Sequence, residues 1–294
     1  MTSRARALVR TMRPRQWVKN AFVGAPLVFS RQLEDPAALG RAALAVLAFC
    51  ALSGAVYAFN DVHDAEADRL HPTKCNRPVA AGELSETGAL VWSAVLAVGA
   101  LAGCCALSWP LAGFAALYLV QNLVYSLGLK KLAFIDVGLI ATGFLLRVLA
   151  GAAAIDVRAS RWLLLCTALL ATFLGLGKRG HELVWARRTG TTATRAALAG
   201  YRLDVVRAAM IGLGAVTCAA FVAYTLQPHT IEFFGGSQLV YVAPFVLLGV
   251  VRFLMLSLWR ESNASPTDAM LSDPWFLVDL AAATATTLYL IYLR

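Results

Sequence analysis

Nine apolar runs, near 18–30, 42–60, 88–108, 110–127, 132–155, 161–177, 205–226, 238–258 and 275–293, decide what this chain can become. A hydrocarbon layer of about 30 Å takes about 20 apolar residues as an α-helix, and every run but the first approaches or exceeds that length. Within lipid each backbone N–H and C=O has to be bonded inside the chain. The expected fold is therefore all-α, a polytopic membrane bundle of about nine transmembrane helices. The runs are apolar all round rather than alternating, which excludes a transmembrane β-barrel. Hydrophobic residues fill 59% of the 294 positions and charged residues only 15%, so no stretch reads as a separate soluble part, and 1–294 forms one domain.

The net charge of +9 would suit nucleic acid if it covered one surface, but it follows the membrane instead. With the N-terminus inside, Arg4, Arg6, Arg10, Arg13, Arg15, Lys19, Arg69, Lys74, Arg77, Lys130, Lys131 and the cluster at 178–207 fall on the cytoplasmic side. Only Arg31, Arg41, Arg158, Arg161 and Arg294 fall outside. That bias predicts a multi-pass protein of the plasma (inner) membrane with a cytoplasmic N-terminus, a lipid bilayer for a partner and no nucleic acid. Residues 1–16 are basic with no signal-type cleavage site after them, so they are expected to form an interfacial helix drawn to anionic lipid. Cys50, Cys75, Cys104, Cys105, Cys166 and Cys218 lack metal-ligand spacing and read as small hydrophobes, while His229 has no second histidine at metal spacing.

Directly after the run at 42–60 comes NDVHDAEADRLHPTKCNRPVAAG, residues 60–82. At helical spacing Asn60, Asp61, Asp64 and Asp68 share one arc of about 100°, and Glu66 points elsewhere. Carboxylates this crowded repel one another unless a cation sits among them. Hard oxygen donors suit Mg²⁺, which commonly bridges to substrate phosphates, so Asp61, Asp64 and Asp68 are the expected metal ligands. The plainer alternative is a solvated helix end. Arg69, His71, Lys74 and Arg77 follow at once and supply cations for further phosphate oxygens, and the Arg77-Pro78 pair predicts extended backbone.

Other polar positions stand inside or beside the runs. Arg147 lies eleven residues after Asp136, about 16 Å along a helix, which puts it deep in the bilayer and too far from that acid to pair. It is expected to face a polar cavity and bind an anionic group. Lys178, Arg179 and Glu182 share one helix face in a segment that is otherwise cationic through Arg202; a cytoplasmic loop explains the charge but not the shared face. Gln121, Asn122 and Tyr125 read as interhelical hydrogen-bonding groups, and Arg252 and Asp279 as an intramembrane pair.

The pattern NDxxDxxxD followed by RxHPxKxxRPxxxG resembles the first aspartate-rich motif of the UbiA superfamily of intramembrane prenyltransferases. RPRQWVKN at 13–20, YSLGLK at 125–130, LRVLAGA at 146–152 and KRGHEL at 178–183 extend the likeness along nearly the whole chain, toward the branch of decaprenyl-phosphate phosphoribosyltransferases. The resemblance implies Mg²⁺-dependent transfer of 5-phosphoribosyl from phosphoribosyl diphosphate to a polyprenyl (decaprenyl) phosphate lipid, as an early step toward cell-wall arabinan. It implies catalytic roles for Asp61, Asp64, Asp68, Lys178 and Arg179. Substrate contacts are implied for Arg13, Gln16, Lys19, Asn60, Arg69, Lys74, Arg77, Tyr125, Lys130, Arg147 and Glu182, with Tyr125 and Lys130 matching a Tyr-x4-Lys element that closes over the diphosphate. Where aromatic prenyltransferases of the superfamily carry a second aspartate-rich motif, this chain carries cations. Two other readings stay open, prenyl transfer to an aromatic or quinone precursor and a transporter, though no inverted halves with paired broken helices are visible. A homo-oligomer is compatible with all three.

Overall fold

The computed structural model describes residues 3–70, 73–189, 196–259 and 266–294, and among these the regular structure is entirely helical. The short basic helix α1 (Ser3–Thr11) precedes α2 (Ala21–Phe29), α3 (Pro36–His63), α4 (Ala65–Arg69), α5 (Glu86–Leu107), α6 (Trp109–Leu127), α7 (Ile135–Ala154) and α8 (Arg161–Thr189). There follow α9 (Leu203–Thr225), α10 (Pro228–Phe234), α11 (Ala243–Leu258), α12 (Pro266–Leu271) and α13 (Pro274–Leu288). Starts are set by ordinary caps: the Asp35 carboxylate accepts from Ala37 N with Pro36 in the first turn, and the Ser85 hydroxyl accepts from Gly88 N.

Eight of these helices, α3, α5 to α9, α11 with its preceding turn and α13 with its following turn, are long and apolar enough to cross a membrane. The stretch at 18–30 differs from the other runs. Pro14 opens a 3₁₀ segment (Pro14–Asn20), and α2 holds only nine residues, a rise of about 13 Å, with Pro26 removing one backbone donor inside it. A second difference is at KRGHEL. The run read as ending at 177 continues as one helix to Thr189, because no proline intervenes and Arg179 bonds Glu182 one turn on.

The helices form two compact groups, residues 1–130 with 143–159 and residues 131–142 with 160–294. In the first, Val23, Ala42, Ala45, Phe49, Ala115, Tyr118, Ala150 and Ala154 make a core of mostly small side chains. Small residues suit it, since lipid gives helices no hydrophobic reason to associate and close backbone approach must supply the attraction. At Gly151 a Cβ would collide with the Val23 carbonyl, so α7 and α2 touch main chain to side-chain-free surface there. A smaller cluster of Ala7, Ala65, Val79, Leu84 and Ala89 seats α1 on the segment that follows α3. In the second group, Phe173, Val206, Met210, Phe253 and Leu258 pack α8 against α9 and α11, and a Cβ at Gly177 would strike the Phe253 ring. Arg252 does not pair with Asp279 as expected. Its Nε and Nη2 donate to the two oxygens of Asp273 at 2.9 and 2.6 Å. Asp279 is six residues further along α13, about 9 Å away, beyond the reach of that fork.

Candidate active site

The apolar α3 carries its helix through Asn60 and Asp61 and breaks at Asp64, yet the hydrogen-bond register survives the break. Asp64 N donates to Asn60 O at 2.9 Å and Asp68 N to Asp64 O at 2.8 Å. Asp61 and Asp68 therefore stay on one side and are buried, at 1% and 3% exposure. Each carboxylate meets a cation from elsewhere in the chain. Arg13 bonds Asp61, Arg77 bonds Asp68 and lies 3.6 Å from Asp61, and Lys130 Nζ donates to Asp64 at 2.5 Å. Arg77 is extended, as its following proline dictates, and Gly82 closes the turn after it at a φ of 74°, the left-handed region that favours glycine.

Arg13 adopts a left-handed backbone at φ 50° and ψ 66°, between the end of α1 and Pro14. Pro14 bars the right-handed helical region to the residue before it, so the chain turns here. A non-glycine residue in this conformation costs of order 1–3 kcal/mol and persists where its surroundings hold it, here by the bond to Asp61 and by stacking over the Tyr57 ring at 4.8 Å. Beside it lies a cavity of about 270 Å³ that gathers Arg10, Arg13, Lys74 and Arg77 around Asp61. Arg10 was not singled out from the sequence as a site residue. It donates twice to Glu83, at 2.8 and 2.6 Å, and once to the Asn76 carbonyl at 2.6 Å. Its spacing of three from Arg13 was the available signal.

Among the remaining expected residues, Gln16 and Lys19 lie on the 3₁₀ segment just after Arg13, and Tyr125 lies on the last turns of α6 before Lys130. Arg69 is directed to Glu86 at 3.4 Å in an exposed pair, away from the cavity. His71 and Arg195 lie outside the described residues.

Asp61 Oδ2 and Asn60 Oδ1 are buried without a hydrogen-bond partner, an arrangement that suits coordination by a hard cation. Among the described residues no three His, Cys, Asp or Glu side chains converge on one point, because Arg13, Arg77 and Lys130 draw the three aspartates to separate partners. The donor chemistry fits Mg²⁺; the carboxylates are held by tethered cations.

Within the second group of helices, α8 places Arg179 fully inside, with Nη1 donating to Glu182 at 2.6 Å and Nε 3.3 Å from Asp136. Asp136 also accepts from the Tyr201 hydroxyl at 2.6 Å, and that hydroxyl accepts from Phe134 N at 2.6 Å. Burial, reinforced by the bond to Asp136, pushes the Tyr201 phenol above its ordinary pKa, so it remains a donor at neutral pH. Arg179 and Glu182 are thus brought together as their spacing predicts, with Lys178 on the same helix. Asp136 and Tyr201 complete a network that sequence reading left without a role.

Arg147 is 6% exposed and has neutral acceptors: Asn20 Oδ1 at 2.9 Å, the Gly143 carbonyl at 3.0 Å and Tyr118 OH at 2.8 Å. Its guanidinium lies over the rings of Tyr118 and Phe144. Asn20 is the last residue of RPRQWVKN, so this arginine anchors the segment that carries Arg13, Gln16 and Lys19.

The sequence profile described as the UbiA prenyltransferase family matches residues 21–279. Decaprenyl-phosphate phosphoribosyltransferase of Mycolicibacterium smegmatis is 39% identical over 206 residues, a match that spans 68% of this chain and 64% of that protein. This chain thus matches just under two thirds of that relative's length. The protein of the same name from Corynebacterium glutamicum is 32% identical over 282 residues, covering 92% of this chain and 82% of that one. A solved UbiA homolog from Archaeoglobus fulgidus, bound to GPP and Mg²⁺, has the same fold, with a TM-score of 0.74 over 97% of this chain and 99% of that chain at 18% identity.

Proposed function

The chain belongs to the UbiA prenyltransferase family, and we propose that it transfers the 5-phosphoribosyl group of phosphoribosyl diphosphate to a polyprenyl phosphate, releasing diphosphate. The observation that carries this reading is at Arg179. Where the superfamily's aromatic prenyltransferases are expected to hold a second cluster of metal-binding aspartates, α8 offers Lys178, Arg179 and a single acid, Glu182, already bonded to Arg179. Cations in that place suit a second phosphate-bearing substrate better than a second metal. The identity to proteins named for this activity points the same way.

In this reading Asp61, Asp64 and Asp68 would hold Mg²⁺, which would supply positive charge for a departing diphosphate. Arg10, Arg13, Lys74 and Arg77 donate to diphosphate oxygens in the cavity around Asp61, Lys130 is the partner of Asp64, and Tyr125 lies five residues before Lys130. Lys178 and Arg179 act on a phosphate, and Arg147 positions the Arg13 segment through Asn20. The bond from ribose C1 to the diphosphate oxygen breaks while a polyprenyl phosphate oxygen bonds to C1, which becomes oxocarbenium-like between them. A phosphate monoester with a second pKa of about 6 is mostly dianionic at neutral pH, so the acceptor needs no general base. A site on the cytoplasmic face of the plasma membrane agrees with the basic residues around it, because phosphoribosyl diphosphate is water-soluble.

The test is product analysis with purified protein. One reaction holds ribose-labelled phosphoribosyl diphosphate and polyprenyl phosphate, and a second holds prenyl diphosphate and an aromatic acid, each with and without Mg²⁺. Labelled ribose phosphate in the lipid fraction, dependent on Mg²⁺, is the expected result. Prenylated aromatic product with no label in lipid would overturn the reading in favour of an aromatic prenyltransferase.

A further inference from the structure

Arg179 keeps its whole side chain out of solvent, at 0% exposure, yet uses only part of it. Nη1 donates to Glu182, while Nη2 is buried without a hydrogen-bond partner. Buried donors are rarely left unmade, so Nη2 marks a place for an acceptor brought by another molecule. Of the two acids beside this guanidinium, Glu182 is part-exposed and sits on the same helix. The firmer counter-ion is Asp136 on α7, fully buried, with Oδ2 3.3 Å from Arg179 Nε. What fixes Asp136 is a chain of bonds that ends in a strained turn. Its Oδ1 accepts from Val137 N at 2.9 Å and from the Tyr201 hydroxyl at 2.6 Å, and that hydroxyl accepts from Phe134 N at 2.6 Å. Phe134 has a φ of 66°, a left-handed conformation that is costly for a bulky residue. Its ring lies 4.8 Å from that of Tyr201 but stays 62% exposed, so burying the ring does not offset the strain; the turn serves the bond to Tyr201. A phenol has a single proton. With Phe134 N on the acceptor side of the oxygen, that proton is committed to Asp136 Oδ1, and Oδ2 is left to face Arg179.

We propose that Asp136 and Tyr201 are positioning residues for the transfer reaction, fixing the Arg179 guanidinium so that Nη2 meets a substrate phosphate oxygen. The inference rests on the reading of Arg179 as a phosphate-binding residue. Neither residue touches substrate: Asp136 acts through Nε, and Tyr201 acts through Asp136. Glu182 and Asp136 approach different nitrogens, so the planar guanidinium between them presents its third nitrogen in one direction. A donor fixed in this way loses less freedom when it binds an anion than a long side chain free to turn.

Purified full-length protein is assayed with phosphoribosyl diphosphate and polyprenyl phosphate, each varied while the other is saturating. Tyr201→Phe keeps the ring and removes the hydroxyl; it should raise KM for one of these substrates about tenfold, the effect of weakening one charge-assisted bond, and leave the other within about twofold. Asp136→Asn should raise the same KM at least as far, and Tyr201→Phe alone decides if that variant fails to insert. Thr217→Val, which removes a buried hydroxyl bonded to the Leu213 carbonyl of α9, should lower the unfolding midpoint and leave both KM values alone. The decisive background is Arg179→Lys. There Tyr201→Phe should add less than about twofold, since a residue that works through the guanidinium has nothing left to work through. Unchanged KM values in Tyr201→Phe, or its full effect retained beside Arg179→Lys, overturns the proposal. If the wild type instead prenylates an aromatic acid, the phosphoribosyl reading falls, and the same comparison on the KM for prenyl diphosphate decides the positioning role separately.

Discussion

Replacing Asn20 by alanine should destabilise this protein more than removing the buried arginine that Asn20 supports. In the wild type Arg147 donates to three neutral acceptors, of which Asn20 Oδ1 is one, and both residues are buried, at 6% and 0% exposure. Asn20→Ala leaves a guanidinium inside the bilayer one acceptor short, which costs about 1.5–3 kcal/mol for a bond to a charged donor and more for the space left behind. A total near 3 kcal/mol follows. Arg147→Met removes the charge along with its needs: Ser53 still donates to Asn20 at 3.3 Å and stays 3.3 Å from Tyr118 OH. What is lost is ring stacking and some packing, about 1–2 kcal/mol. The double variant should fall no further than Asn20→Ala alone, a coupling of about 2 kcal/mol. At about 2 °C per kcal/mol for a chain of this size, midpoints measured in one detergent at one scan rate should drop by about 6 °C for Asn20→Ala and about 3 °C for Arg147→Met. If Arg147→Met proves the more damaging, or the two losses simply add to about 9 °C, the account of an arginine dependent on neutral acceptors is wrong.

Asp61→Asn, Asp64→Asn and Asp68→Asn should each lower activity by about ten- to a hundredfold at limiting Mg²⁺ while the protein still inserts and purifies; normal turnover in all three would sink their assignment as metal ligands. Tyr201→Phe removes the hydroxyl between Asp136 and Phe134 N and should cost about 1–2 kcal/mol, read as a lowered unfolding midpoint. Because burial raises the folded-state pKa of Tyr201, the contribution of its neutral hydroxyl is fully present below about pH 10 and is lost as pH rises further. The midpoint difference between wild type and Tyr201→Phe should therefore be flat from pH 6 to 9, and a slope there would contradict it. Native Cys75, between Lys74 and Asn76, should react with a membrane-impermeant maleimide in inside-out vesicles and not in intact cells; the reverse pattern would invert the topology.

The membrane-spanning helices were legible because length and apolarity state the same requirement twice, once per helix. The clustering of Asp61 with Asp68 was legible too, since helical periodicity fixes it from neighbours in sequence. Arg10 was hidden, because its place depends on Ala7 docking against Ala65, Val79 and Leu84, contacts between segments far apart in the chain. The Asp136–Arg179–Tyr201 network was hidden for the same reason: its three members come from separate elements, and no local spacing links them. Arg252 shows the limit of pairing by charge alone. Asp268, Asp273 and Asp279 all follow it in the sequence, and the choice of Asp273 rests on the position of a helix cap.

Arg13, Arg77 and Lys130 give the aspartates of the α3 end counter-ions that are covalently part of the chain. Such a site is a local ion exchanger. On the proposed reading a divalent ion entering it would compete with tethered cations for the same oxygens, and each one displaced would be left beside the site to meet a phosphate. The polypeptide can then be made, inserted and packed without waiting for metal, and chelation should empty the site while leaving the helices in place. Natural variation at those three basic positions should accordingly move with the acids, since changing either side alone leaves bare charge at a membrane boundary.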